Sequence, residues 1–299
     1  MTSPQVFGPY LTLVVFLVLA IVAAGREFRT AQGLDKAYPL GRVSLAIPIA
    51  VFGTEHFTSS QAIVKMIPAF MPVKIFWTYF VGLALIAAAL SALFRVRVRL
   101  SATLLGIMIF CFVAMIHLPN AIGAPQSRFA WTIVARDTSF SAAALLMAVS
   151  SGARQRTPAE KRVAMGALYW IVLTCVFFGV GSLLHPDLVP AVPLTKVTPA
   201  WIPFAHFWTI LTGIALVIGG GAMLVRKVSR PAAAALGAWV VLLVLTLYLA
   251  IMLAQLDIEG LNYFADTLMF GGVLLLASGV YGQAAQLQDT KPLAAQSNQ

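Results

Sequence analysis

The amino-acid sequence predicts an all-α polytopic membrane protein with about nine transmembrane helices. First, 60% of the 299 residues are hydrophobic and only 10% are charged, and the mean hydropathy is +0.91, whereas soluble domains carry about a quarter charged residues. Second, the chain divides into apolar stretches of about 20 residues, the length that crosses a hydrocarbon core of about 30 Å. Third, basic residues gather in every second loop between these stretches, as the positive-inside rule requires.

Composition also excludes other classes of protein. The chain carries 20 Lys and Arg against 10 Asp and Glu, but these basic residues lie in short loops rather than on one basic face. We therefore expect no nucleic-acid partner and take the lipid bilayer as the main partner. Cys111 and Cys175 each lie in the middle of an apolar stretch, so neither a disulfide framework nor a cysteine cluster is expected.

The first predicted helix, 7–25, is expected to stay in the chain. No basic region precedes it, and Arg26 and Arg29 follow it, which is the reverse of the arrangement in a cleavable signal peptide. It has no counterpart elsewhere in the sequence. We expect it to pack against the other helices or to attach the chain to a partner.

Eight further spans follow, each an apolar stretch between polar loops. Pro-containing segments, 58–73 and 186–203, separate the second span from the third and the sixth from the seventh. The other loops are short and mostly basic. The predicted bounds of the eight spans are 41–57, 74–94, 101–119, 131–150, 164–184, 203–225, 232–254 and 263–282.

The loop charges predict how the chain is oriented. Of the 20 basic residues, 15 lie on one side: 14 in the loops after the first, third, fifth and seventh spans or in the C-terminal tail, and Arg42 at the start of the second span. By the positive-inside rule that side is cytoplasmic. We therefore predict a multi-pass protein of the cell (inner) membrane, with its N-terminus outside and its C-terminus in the cytoplasm.

The sequence contains an internal repeat. When the chain is aligned with itself, Lys65–Ile86 matches Lys196–Val217 without a gap, and 10 of the 22 pairs are identical. The matches include Pro, Trp and Gly positions, so apolar composition alone does not explain them. Both copies begin from the same side, which predicts two parallel four-helix repeats related by an axis along the membrane normal.

The repeat defines the predicted domain organisation. Residues 1–40 form an N-terminal helix with a cytoplasmic loop, 41–152 the first repeat and 153–282 the second repeat. Residues 283–299 are predicted to be a disordered cytoplasmic tail.

Polar side chains inside the spans are the candidates for function, because an ionisable group at membrane depth costs about 2.5–3.5 kcal/mol. On the predicted topology they crowd into the outer half of the membrane, which argues against a continuous ion path across it. His117 is replaced by Tyr248 in the second copy, and this suggests that one copy has specialised. The candidate ligand-binding residues are Glu55, His56, His117, Asp137, His185, His206, Tyr248 and Asp266.

Each candidate also has a structural explanation. His56 and His185 occupy equivalent helix ends, where an imidazole can cap free carbonyls. Arg136 and Asp137 are predicted to open the fifth span, where an aspartate complements the helix dipole. Asp266 is predicted to repeat that role in the last span.

Three kinds of bound group fit these residues to different degrees. A quinone needs an apolar pocket between helices and one or two hydrogen-bonding groups, such as an imidazole or a Tyr hydroxyl beside a carboxylate. A b-type haem needs two imidazoles from facing helices, and no two histidines have a close helical spacing, so haem b is less favoured. No metal site is predicted.

Several short motifs carry a resemblance to a known family. Arg42 opens the first helix of the first repeat, Gly53–Phe57 ends it, Gly82 lies in the next helix, and the final helices contain Asp137 or Asp266 with Gly271-Gly272. Over residues 41–282 these motifs resemble the DoxX/DoxD-like family of four-helix membrane proteins, here in two tandem copies. The resemblance implies an association with membrane redox chemistry, because some relatives are oxidoreductase subunits or partners.

Three functions are therefore considered. The first is an integral membrane subunit linked to respiratory or periplasmic redox chemistry that binds a quinone-like ligand near the outer leaflet, with a periplasmic or membrane oxidoreductase as partner. The second is a small-solute transporter, favoured by the parallel halves. The third is a non-catalytic scaffold or assembly partner of a periplasmic enzyme, favoured by the Pro-containing segments.

Overall fold

A computed structural model describes residues 3–152 and 156–289 of this chain, and it describes side chains as far as Gln283. Its regular structure is helical, and the one β-feature in these ranges is an isolated bridge between Leu188 and Val197. Nine helices in the described residues are long and apolar enough to cross a membrane. The predicted fold class, an all-α polytopic membrane protein, is confirmed.

The nine long helices are numbered in chain order. All nine overlap the predicted spans, and most extend a few residues further because a helix continues past the apolar core into the interface. They are α1 Pro4–Thr30, α2 Gly33–Thr58, α3 Lys74–Phe94, α4 Val98–Gly123, α5 Arg128–Ser150, α6 Pro158–Leu184, α7 Ala205–Ala222, α8 Ser229–Gln255 and α9 Ile258–Asp289. Residues 283–289 of the predicted tail continue α9, and residues 290–299 lie outside the described residues.

Local sequence sets where two of these helices begin. At α6, Thr157 and Glu160 form a reciprocal capping box and Pro158 occupies the first turn, where a missing N–H costs nothing. At α5, the Ser127 hydroxyl accepts a hydrogen bond from the Ala130 N–H at 3.2 Å. Both caps satisfy N–H groups that a helix end leaves free.

The helices form a bundle around α9. This helix is buried over almost all of its spanning length and α2 and α5 over most of theirs, whereas α1, α4 and α7 present more than two thirds of their spans outward. Large apolar side chains cover that outer surface, among them Ile21, Val22 and Ile218. Such a surface is suited to lipid rather than water.

Glycines bring two helix pairs into backbone contact. Gly53 of α2 lies against Gly82 of α3, and a Cβ added at Gly82 would lie 2.9 Å from the Gly53 carbonyl oxygen. Gly179 of α6 and Gly213 of α7 pack in the same way, with the corresponding distance also 2.9 Å. Small residues at such crossings allow close packing without large side chains between the helices.

Other local features recur in the register of the sequence repeat. A π-helical turn interrupts α4 at Val113–His117 and α8 at Val244–Tyr248. Val73 and Phe204, which precede α3 and α7, both adopt the left-handed conformation. These pairs show that the two copies share local structure, while the domain boundaries of the repeat stay a prediction.

The loops divide between two ends of the bundle. The loops 31–32, 95–97 and 223–228 lie at one end, called here the basic end. The loops 59–73, 124–127, 185–204 and 256–257 lie at the other, called the histidine end. Arg230 pairs with Asp35 at the basic end. At the histidine end, the Tyr10 hydroxyl donates to the Asp257 carbonyl at 3.1 Å. Which end faces the cytoplasm stays a prediction.

Candidate functional site

Two of the candidate histidines line one cavity, called here the histidine cavity. It has a volume of about 430 Å³ and lies between α2, the segment 63–71, α3 and α4. His56 and His117 are its titratable groups apart from a cysteine. The remaining wall is apolar and rich in methionine and aromatic side chains: Ile63, Met66, Ile67, Pro68, Met71, Trp77, Thr78, Phe80, Val81, Met108, Cys111, Phe112, Met115 and Ile116.

A hydrogen bond defines the tautomer of His56. Its Nδ1 lies 2.7 Å from the Phe52 carbonyl oxygen, one turn back along α2. A carbonyl can only accept, so Nδ1 carries the proton and donates it. The other nitrogen, Nε2, is then an acceptor.

His117 is held by an acidic partner. Its Nε2 lies 3.0 Å from Asp137 Oδ2, and both side chains are largely buried. The carboxylate accepts from Nε2–H, which orients the ring and leaves the lone pair on Nδ1. His117 is the last residue of the π-helical turn in α4, and such turns are frequent at functional sites.

Behind His117 lies an ion cluster of Arg136, Asp137, Asp266 and His117. Arg136 Nε donates to Asp137 Oδ1 at 2.7 Å, and its Nη1 donates to Asp266 Oδ2 at 2.5 Å. The cluster joins α4, α5 and α9. It carries one guanidinium against two carboxylates, so a proton on His117 would bring its formal charge to zero.

The predicted positions of Asp137 and Asp266 at helix starts are wrong. Helix α5 begins at Arg128 and α9 at Ile258, so both aspartates lie about two turns inside their helices. Their charges are tolerated there because Arg136 pairs with both. The sequence does not predict the contact between Arg136 and Asp266, because the two residues lie on different helices far apart in the chain.

The second repeat has an equivalent cavity without histidines. It measures about 370 Å³, and much of its lining matches the histidine cavity in the register of the sequence repeat. The matched pairs include Met71 and Ile202, Trp77 and Trp208, Met108 and Trp239, Cys111 and Leu242, Phe112 and Leu243, Met115 and Thr246, and Ile116 and Leu247. At the position of His117 stands Tyr248, whose hydroxyl donates to the Pro190 carbonyl oxygen.

The other candidates lie elsewhere. His185 is the C-terminal cap residue of α6, where its backbone N–H donates to the Gly181 carbonyl oxygen at 3.0 Å. His206 lies in the first turn of α7, and neither histidine lines either of these cavities. Glu55 faces α9, where Asn262 Nδ2 donates to its Oε2 at 3.5 Å. Its buried Oε1 has no hydrogen-bond partner in the described part of the chain.

Comparison with protein-family models, with curated proteins and with solved structures finds no match to this chain. The structure therefore defines a broad class, that of multi-pass helical membrane proteins, and adds a histidine-lined apolar cavity.

Proposed function

We propose that this chain is an integral membrane subunit linked to respiratory or periplasmic redox chemistry, and that it binds a quinone-like ligand in the histidine cavity. The observation that carries the proposal is the pair His56 and His117 on the wall of one apolar cavity, with Asp137 3.0 Å behind His117. This is a hydrophobic pocket with few, oriented polar groups, as is usual for small-molecule sites.

The size and lining of the cavity favour a flat apolar ring. Its volume of about 430 Å³ lies within the range of about 300–1,000 Å³ that is typical of ligand sites. Methionine side chains adapt to an irregular ligand and make favourable contacts with aromatic rings. Trp77 and Phe80 add ring faces for stacking.

The histidines provide the polar contacts that a quinol needs. A quinol hydroxyl can donate to His56 Nε2, which the Phe52 contact leaves as an acceptor. Oxidation of a quinol releases two electrons and two protons. We propose that His117 accepts one of these protons, because that proton neutralises the ion cluster, and that His56 Nε2 accepts the other from the hydroxyl that donates to it. An oxidoreductase partner takes the two electrons.

The resemblance of the sequence to DoxX/DoxD-like proteins supports the same proposal from another direction. It rests on motifs that include Gly53–Phe57 and Gly82, and of these residues His56 lines the cavity. The association with an oxidoreductase partner rests on that resemblance.

The test measures bound quinone directly. The full chain is purified in mild detergent, its lipids are extracted, and quinones are counted by mass spectrometry. We expect about one quinone per chain, and we expect His56→Ala and His117→Ala each to weaken binding about tenfold, the loss of one hydrogen bond of about 1.4 kcal/mol. The matched controls, His185→Ala and His206→Ala, should keep the parent's content.

Other results would contradict the proposal. Absence of quinone, or equal quinone in all four variants, excludes the histidine cavity as the site. A Soret band that shifts on addition of dithionite would instead indicate haem. Solute flux in vesicles containing the purified chain, with no bound quinone, would favour the transporter hypothesis.

A further inference from the structure

A second large cavity lies at the basic end, far along the bundle from the histidine cavity. It has a volume of about 1010 Å³ and is called here the arginine cavity. Four arginines line it, Arg42, Arg95, Arg97 and Arg99, with a single carboxylate, Glu27. The remaining lining residues are Tyr38, Val98, Leu100, Thr103, Ser150, Ser151, Gly152 and Gln283.

Arg42 forms the buried floor of this cavity. Its side chain is 2% exposed. Nη1 donates to the Ala92 and Leu93 carbonyl oxygens at 2.5 and 2.9 Å, and Nη2 pairs with Glu27. Its Nε is buried and has no hydrogen-bond partner in the described residues. A buried guanidinium N–H without an acceptor is costly, and a bound anion could supply one.

Two of the other arginines, Arg95 and Arg97, are not held in a close ion pair within the described residues. Arg95 Nη1 lies 3.8 Å from Glu27 Oε2, a long contact, and its side chain is 66% exposed. Arg97 makes no ion pair within the described part of the chain, whereas Arg99 pairs with Glu160 at 2.5 Å. Glu27 is thus the one carboxylate in the lining for four guanidinium groups.

The backbone adds to the positive potential. Arg95 and Arg97 both adopt the left-handed conformation, with φ of 59° and 49°, and this tight turn leads directly into α4. No side chain caps the start of α4 and its first turn contains no acidic residue. The helix therefore leaves free N–H groups and the positive end of its dipole at Val98 and the next residues, which line the cavity.

We infer that the arginine cavity binds a phosphate group carried by an anionic molecule. Arginine forks, free N–H groups at a helix start and an unpaired buried Nε all suit a tetrahedral oxyanion. The cavity is much larger than one phosphate, so the phosphate belongs to a larger molecule. Both an anionic phospholipid headgroup and a soluble phosphate ester have this chemistry. The exposed apolar side chain of Leu100 at the cavity rim suits an acyl chain.

The test compares two double variants of the purified full chain. Arg95→Gln with Arg97→Gln removes two charges from the cavity, while Arg42 is left unchanged because its contacts support the fold. The matched control, Arg26→Gln with Arg29→Gln, removes two charges at the end of α1, outside the cavity. Phosphatidylglycerol and phosphatidylcholine are titrated separately, and bound lipids are counted by native mass spectrometry. Glycerol 3-phosphate and inorganic phosphate are tested by thermal shift.

The expected results separate the two sources of phosphate. If the source is a lipid, phosphatidylglycerol binds the parent and the control alike, binds the cavity variant about tenfold more weakly, and is preferred over phosphatidylcholine. If the source is soluble, glycerol 3-phosphate stabilises the parent and the control but not the cavity variant. The inference is overturned if no phosphate compound distinguishes the cavity variant from the control.

Discussion

Arg136 allows two carboxylates to lie within the helix bundle by pairing with both. Its guanidinium contacts Asp137 on its own helix and Asp266 on α9, and Asp137 in turn holds His117 of α4. An isolated charge at this depth would be expelled or neutralised. The cluster is therefore a structural link between three helices as well as the support of His117.

Replacing Arg136 tests that link. Arg136→Met leaves two carboxylates together without a cation, and breaking such a buried pair costs about 3–5 kcal/mol. Thermal unfolding in detergent should show a large drop in the midpoint. Glu259→Gln is the control, because Glu259 is 58% exposed in its pair with Lys196 and exposed pairs contribute about 0–1 kcal/mol. Equal effects of the two variants would contradict a structural role for the cluster.

The way in which helices pack and bend positions the two histidines of the histidine cavity. The Gly53–Gly82 contact brings α2 against α3, and a Cβ at Gly82 would lie 2.8 Å from the His56 Cβ. The π-helical turn in α4 adds a residue to one turn and so changes the direction of the side chains that follow it. The position of the His56 side chain thus depends on a close glycine contact between helices, and that of His117 on a π-helical turn.

Gly82→Ala should separate α2 from α3 and move His56. Because the added Cβ also meets the Gly53 carbonyl oxygen at 2.9 Å, we expect a loss of about 1–3 kcal/mol of stability from overpacking together with reduced bound quinone. Gly213→Ala makes the equivalent change in the second repeat. It should lower stability similarly and leave the quinone content unchanged.

A third variant shows whether the glycine results are specific. Gly221→Ala adds a Cβ that meets nothing within 4 Å, so both stability and bound quinone should match the parent. If Gly213→Ala also lost bound quinone, the loss would come from general destabilisation. It would then not depend on the position of His56, which contradicts the expectation.

At the scale of the whole molecule, the two halves share a framework and differ in polar groups. Each half has a cavity lined by residues that the sequence repeat matches, but only the cavity of the first half contains imidazoles. The second half has Trp239 and Tyr248 at the positions of Met108 and His117. Most of the arginine-cavity lining also belongs to the first repeat, while Glu27 and Tyr38 come from residues 1–40 and Gln283 from α9. We expect the first repeat to bind ligands and the second to complete the bundle.

Cysteine labelling tests the predicted orientation of the whole bundle. With the N-terminus outside, a membrane-impermeant maleimide should label Ala200→Cys at the histidine end in intact cells, and should label Gln32→Cys at the basic end only after permeabilisation. The parent chain is the control, because Cys111 and Cys175 lie within spans. The reverse pattern would place the basic end outside and contradict the positive-inside prediction.

The sequence alone determined the class of protein, the nine spans and the internal repeat. These follow from local patterns, because each helix satisfies its own backbone hydrogen bonds in lipid and needs about 20 apolar residues to cross it. It also identified His56, His117, Asp137 and Asp266 as candidates, since ionisable residues inside apolar stretches stand out.

Only the tertiary structure decided which of these residues meet. It placed His56 and His117 on one cavity, left His185 and His206 outside it, and joined Arg136 to Asp266 across α5 and α9. It also placed Arg42 of α2 at the cavity that Arg95, Arg97 and Arg99 line. Such contacts depend on how each helix is rotated and how closely it packs, and side chains far apart in the chain leave no local pattern that reveals this.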